Sequence, residues 1–90
     1  MNPEIELNER VEVAVLYRAK GNTSQICMPA KMRYKGQEII FTELGLRHPT
    51  SKGHRMIHVF DMSDGCSDYR LEFDAERLTW TLTKILEVQS

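Results

Sequence analysis

Apolar side chains recur at every second position along much of the chain, while helical spacing is poor throughout. In RVEVAVLYR, Val11, Val13, Val15 and Tyr17 share one face, and Glu12, Ala14, Leu16 and Arg18 share the other. A period of two is that of a half-buried strand. AKGNTSQ then supplies turn formers, and ICMPAKMRYK resumes the alternation. Pro29, which has no N–H to give a ladder, marks an edge, a bulge or the true start of that strand.

Three hairpins follow from the same pattern. A two-residue turn at Gly36-Gln37 sets Lys35 opposite Glu38, Tyr34 opposite Ile39 and Met32 opposite Phe41, so every inward pair is apolar. In MIHVFDMSDGCSDYRLEF, a turn at Asp64-Gly65 pairs Phe60 with Tyr69 and His58 with Leu71, and turns Met56, His58 and Phe60 inward. A bulged turn there shifts the register by one and turns Ile57 and Val59 inward instead, and both registers stay open. In the third hairpin a four-residue turn, DAER, pairs Phe73 with Leu78, Leu71 with Trp80 and Tyr69 with Leu82. Asp74 is placed to accept backbone hydrogen bonds as that turn opens.

These runs predict an all-β fold, a five-stranded antiparallel meander curled into a small open barrel. The expected core is Val13, Val15, Met32, Tyr34, Ile39, Phe41, Tyr69, Leu71, Phe73, Trp80 and Leu82. Residues 1–90 read as one small β domain, with 1–8 expected to fray. A sheet this small must cover its apolar face by curling or by meeting a second copy. A homodimer burying Ile40, Leu44 and Leu46 is therefore one of two open outcomes.

Composition changes this picture little: 41% hydrophobic and 28% charged residues suit a globular domain. No apolar run is long enough to cross a bilayer as a helix. The acidic start, MNPEIELNERVEV, lacks the basic-then-apolar pattern of a secretory signal, and a cytoplasmic location is the expectation. Cys27 and Cys66 are expected as free thiols rather than a disulfide framework.

Charge is more informative than its total of −1. Residues 1–15 hold four acids and one arginine, net −3; residues 16–58 hold eight bases and two acids, net +6; residues 59–90 hold seven acids and three bases, net −4. The outward positions of the second strand are Lys31, Arg33 and Lys35. The polar segment LGLRHPTSKGHRM, read as a loop, adds Arg47, His48, Lys52, His54 and Arg55. Together these eight make a candidate anion-binding surface for DNA or RNA phosphate. The competing reading is a solvated face whose bases complement acidic strands of the same sheet, a protein partner or a second copy. No ribonucleoprotein or helix-turn-helix pattern is present.

No cofactor and no enzymatic activity are expected. His54, His58 and Cys66 lack the tight spacing of zinc knuckles, and Asp64-Gly65 lacks the rest of a calcium loop. Ser63, Ser67 and the neighbouring acids read as turn chemistry rather than a nucleophile with its base.

PAKMRYKGQEIIFTEL followed by DGCSDYRLEFDAERLTWTLTKI resembles a small bacterial all-β domain family of unknown function. The resemblance spans about residues 28 to 85 and rests on Pro29, Met32, Tyr34, Gly36, Ile39, Phe41, Asp74 and Trp80. Met32 and Tyr34 depart from that family's more aromatic pattern, and RHPTSKGHR lies outside it. Some members are encoded near translesion DNA polymerases, so the resemblance implies a nucleic-acid-associated accessory and carries no catalytic residues.

Overall fold

A computed structural model describes residues 4–20 and 27–87. Seven strands form: β1 (Glu4–Tyr17), β2 (Cys27–Tyr34), β3 (Gln37–Ile40), β4 (Glu43–Lys52), β5 (Arg55–Ser63), β6 (Ser67–Asp74) and β7 (Thr79–Glu87). They make one antiparallel sheet of order β3-β2-β1-β7-β6-β5-β4. The count exceeds the expected five by two: the alternating runs themselves become six strands, and β4 is the seventh. The segment read as a loop is a ten-residue edge strand joined to β5 by a two-residue turn at Gly53-His54. Gly53 has φ +66, which a hairpin turn of this length requires at its first position. Residues 4–8, expected to fray, lie within β1.

The ladder is not closed, since β3 and β4 are its two ends. Those ends are nonetheless consecutive in the chain, joined only by Phe41 and Thr42. The Phe41 N–H donates to Ala30 of β2, and the Thr42 N–H donates to Ser63 of β5. The backbone thus passes from one edge of the sheet to the other within two residues. β1 is shared in the same way: Glu4–Val11 pairs with β7 and Glu12–Tyr17 with β2. A flat seven-stranded sheet would be about 29 Å wide and a single layer deep. The molecule measures 34 × 31 × 25 Å, so the sheet curls around its apolar face.

That face holds Met32, Phe41, Phe60, Met62, Tyr69, Leu71, Trp80, Leu82 and Ile85, with Val13, Val15, Tyr34, Ile39 and Phe73 packed against them. All eleven expected core residues are there. Trp80 lies 4.7 Å from the Phe73 ring and 5.4 Å from the Phe60 ring, centroid to centroid.

The registers differ from expectation by two residues next to each turn, and by three beyond the β7 bulge, where Tyr69 meets Ile85 rather than Leu82. Tyr34 pairs with Gln37 and Met32 with Ile39, because the turn is Lys35-Gly36, with φ of +51 and +77. Two consecutive positive φ angles are the signature of the hairpin turn that matches strand twist. Phe60 pairs with Leu71 because Ser63 meets Asp68 across a loop longer than two residues. Phe73 pairs with Trp80 because Asp74 still pairs, with Thr79, so the last loop starts one residue later. A shift of two preserves the side-chain period, so each inward set survived. Met56 is the exception, half-exposed beyond the core.

Bulges adjust the rest. Pro29 lies beside one, where Ala30 is the extra residue opposite Ala14 and Val15. Another leaves Thr83 unpaired on β7, which turns Ile85 inward with Leu82. At the β4 bulge a Cβ on Gly45 would meet the Asp61 carbonyl oxygen at 3.3 Å, so glycine lets the two strands approach.

Carboxylates shape two turns. Asp64 accepts from the Cys66 and Ser67 N–H groups at 2.8 and 2.7 Å and from the Tyr69 hydroxyl at 3.0 Å. Burial pushes the Asp64 carboxyl up, but these hydrogen bonds outweigh it and hold the pKa below its ordinary value. Burial, then the hydrogen bond to Asp64, pushes the Tyr69 phenol up to about 12. Asp74 accepts from the Glu76 and Arg77 N–H groups, the turn-opening role expected of it.

Candidate polyanion interface

The eight basic candidates occupy three settings. Lys31, Arg33 and Lys35 lie on β2 and its turn, all exposed and opposite in parity to buried Met32. Acids flank them. Arg33 stands in register between Glu12 of β1 and Glu38 of β3, and Lys31 Nζ is 3.2 Å from Glu38. The Lys35 ammonium lies 5.4 Å from the Tyr34 ring centroid.

Arg47 has a different setting. It pairs with Phe60, so it sits on the inward face, with its guanidinium carbon 5.4 Å from the Phe60 ring centroid. Its Nη2 is 3.4 Å from His58 Nδ1. Partly buried over an aromatic ring, Arg47 belongs to the rim of the core.

His48, Lys52 and Arg55 share the outer face of the β4–β5 hairpin, and His54 occupies its exposed tip. Lys52 Nζ meets Glu72 at 2.6 Å, and Arg55 meets Asp74 at 3.2 Å. Because β5 lies between β4 and β6, the Lys52–Glu72 pair spans the outer face of β5. Ile57 and Val59 lie on that face and are only 4% and 3% exposed. The aliphatic stem of Lys52 and its acidic partner act as a roof over them.

Beside this roof is a shallow groove of about 250 Å³. Four basic residues line it: Arg10 from β1, Lys52 from β4, Arg55 from β5 and Arg77 from the β6–β7 turn. Glu72 and Asp74 are its only acids among the described residues, so that lining is net positive. Arg10 and Arg77 are exposed, and neither side chain makes an ion pair among the described residues. Sequence reading missed both, because they fall in the two acidic segments of the chain. The β1–β7 ladder, with Arg10 opposite Thr81, brings Arg10 beside the later strands.

The other end of the outer face has the opposite sign. A groove of about 390 Å³ there is lined by Glu4, Glu43, Asp61 and Asp68, with Arg70 and Lys84. Arg70 binds both Asp61 carboxylate oxygens, at 2.8 and 3.2 Å, and the Asp61 hydrogen bonds raise its pKa further. Lys84 meets Glu4 at 2.9 Å.

Histidine and cysteine do not converge. His54 and Cys66 stand at the turns on opposite ends of β5, and no cluster of three metal-ligating side chains occurs among the described residues. Nor do those residues include a helix long and apolar enough to cross a membrane. Cys27 and Cys66 are free thiols. Cys27 pairs with Tyr17, whose pKa is raised by its hydrogen bond and charge interaction with the thiol and then by burial. No family model, no curated protein and no solved structure matches the chain.

Proposed function

We propose that the protein is a non-catalytic binding module that contacts a polyanion, with nucleic acid the leading ligand. One observation carries this reading: four basic residues from four separate segments, Arg10, Lys52, Arg55 and Arg77, converge on one groove of the outer face. Phosphate recognition needs such convergence, whereas a run of bases along one strand is diluted by its neighbours. A cytoplasmic domain of the small bacterial family described above, curled as an open barrel, is the setting that fits this role. The test is fluorescence anisotropy with a labelled oligonucleotide at ~50 mM salt. Binding should weaken steeply as salt rises and counterion release loses its driving force.

A protein partner is the second reading. The contacts favouring it are Lys52–Glu72, Arg55–Asp74 and Lys31–Glu38, in which carboxylates already satisfy the bases. An acidic protein segment or a second copy would offer the same chemistry. No oligonucleotide binding at ~50 mM salt would put this reading first.

A further inference from the structure

Building on the polyanion reading, we infer that the groove takes the phosphodiester backbone of a nucleic-acid duplex and does not stack bases. The first argument is the chemistry of the lining. Besides its arginines and lysine, the groove presents Thr79 and Thr81, hydroxyl donors suited to phosphate and sugar oxygens.

The second argument is the placement of the aromatics. All seven in the chain are described, and none lines the groove. Phe41, Phe60, Tyr69 and Trp80 are buried in the core, Phe73 and Tyr34 pack against it, and Tyr17 is exposed at the far end of β1. Single-strand binding draws about 1–3 kcal/mol per base from stacking on such rings. The groove lining has no Phe, Tyr, Trp or His ring to offer.

The third argument is reach. Arg10 on β1 and Lys52 on β4 are four strand spacings apart, about 19 Å along the sheet. The long side chains close part of that distance to reach one groove, and cations rooted on separate elements suit a rigid array of backbone phosphates better than a single ion. Within the groove Glu72 competes for Lys52 and Asp74 for Arg55, so the two acids set how many cations a ligand can recruit. Two phosphates, met by Arg10 and Arg77 alone, predict about a tenfold loss of affinity between 50 and 200 mM salt. Four phosphates predict about 150-fold.

The experiment compares a duplex with a single strand of the same length, on the wild type, an Arg10→Ser/Arg77→Ser double variant and Glu72→Gln, with melting temperature as the fold control. The duplex should bind more tightly than the single strand. The double variant should lose most of that affinity and flatten the salt dependence. Glu72→Gln, which removes one repulsive charge, should bind about threefold more tightly. A single strand that binds as well as the duplex would overturn the inference. So would duplex binding indifferent to all three groove substitutions, which would move the polyanion contact to Lys31, Arg33 and Lys35 while leaving the broader reading intact. No binding to either ligand would remove both.

Discussion

Strand β5 is buried on both of its faces, by two different means. Inward, Phe60 and Met62 are 1% and 2% exposed beneath Trp80, Leu71 and Tyr69. Outward, Ile57 and Val59 are almost equally covered, yet their neighbours in register are His48, Thr50, Glu72 and Asp74. Near-identical burial thus hides two kinds of cover. Apolar packing cannot relax without leaving a void, whereas a roof of long charged side chains can settle onto whatever lies below. The two faces should therefore answer differently to the same kind of truncation.

The inner face should show the largest effects. Phe60→Ala and Trp80→Ala should each cost about 3–5 kcal/mol in denaturant unfolding, enough to threaten a domain of this size. Ile57→Ala on the outer face should cost about 2 kcal/mol, near the low end for such truncations, because the roof can collapse into the space. Equal losses on the two faces would dissolve the distinction.

A pH experiment sharpens the inner side. The Tyr69 phenol titrates near 12 in the folded chain, against 10.0 as the ordinary value. The raised pKa favours the protonated folded form, so its stabilisation is complete below pH 10 and is lost as pH rises toward 12. Tyr69→Phe should remove that part of the alkaline decline, read as the difference between the two stability–pH curves. Asp64 works in the opposite direction. Its depressed pKa gives stability that is present above the ordinary 3.8 and lost as pH falls through the lower folded value.

The smallest effect separates charge from cover. The Lys52 side chain is 55% exposed, so its ion pair with Glu72 is worth less than about 1 kcal/mol and fades with salt. Lys52→Met keeps the stem and should be nearly neutral. Lys52→Ala removes the stem and should lose more, by an amount that salt does not change. If Met and Ala cost the same, the stem is not the cover.

The two faces also differ in how far the sequence displayed them. Inward positions were legible because the register error next to each turn is two, which leaves parity intact, and where it becomes three a bulge restores the inward face. The exact pairings depended on loop starts such as Lys35 at φ +51, a conformation that composition does not announce for lysine. β4 was illegible as a strand because beyond Leu46 it is an edge with polar residues on both faces, and Pro49 lacks the N–H of a ladder residue, so hydrophobic periodicity stops there. Outward Ile57 and Val59 sit in a run, MIHVF, whose two faces are both apolar, and two registers competed for it. Of the candidate groove, Lys52 and Arg55 stood out in the basic segment. Arg10 and Arg77 did not, since strand pairing across most of the chain length brings them there.

That long-range pairing has a consequence in time. β1 meets β7 through contacts such as Glu4 with Leu86 and Val11 with Trp80, among the most distant pairings along the described chain. Loop closure over such a length must precede the contacts that reward it, which places folding in the slow, millisecond-to-second regime of non-local β topologies. On the ribosome, β1 would emerge first and wait for its last partner until β7 had been made, holding an unpaired edge throughout. Glu4, Glu6, Glu9 and Glu12 lie along that waiting strand, and like charges brought opposite one another disfavour its pairing with a second copy of itself.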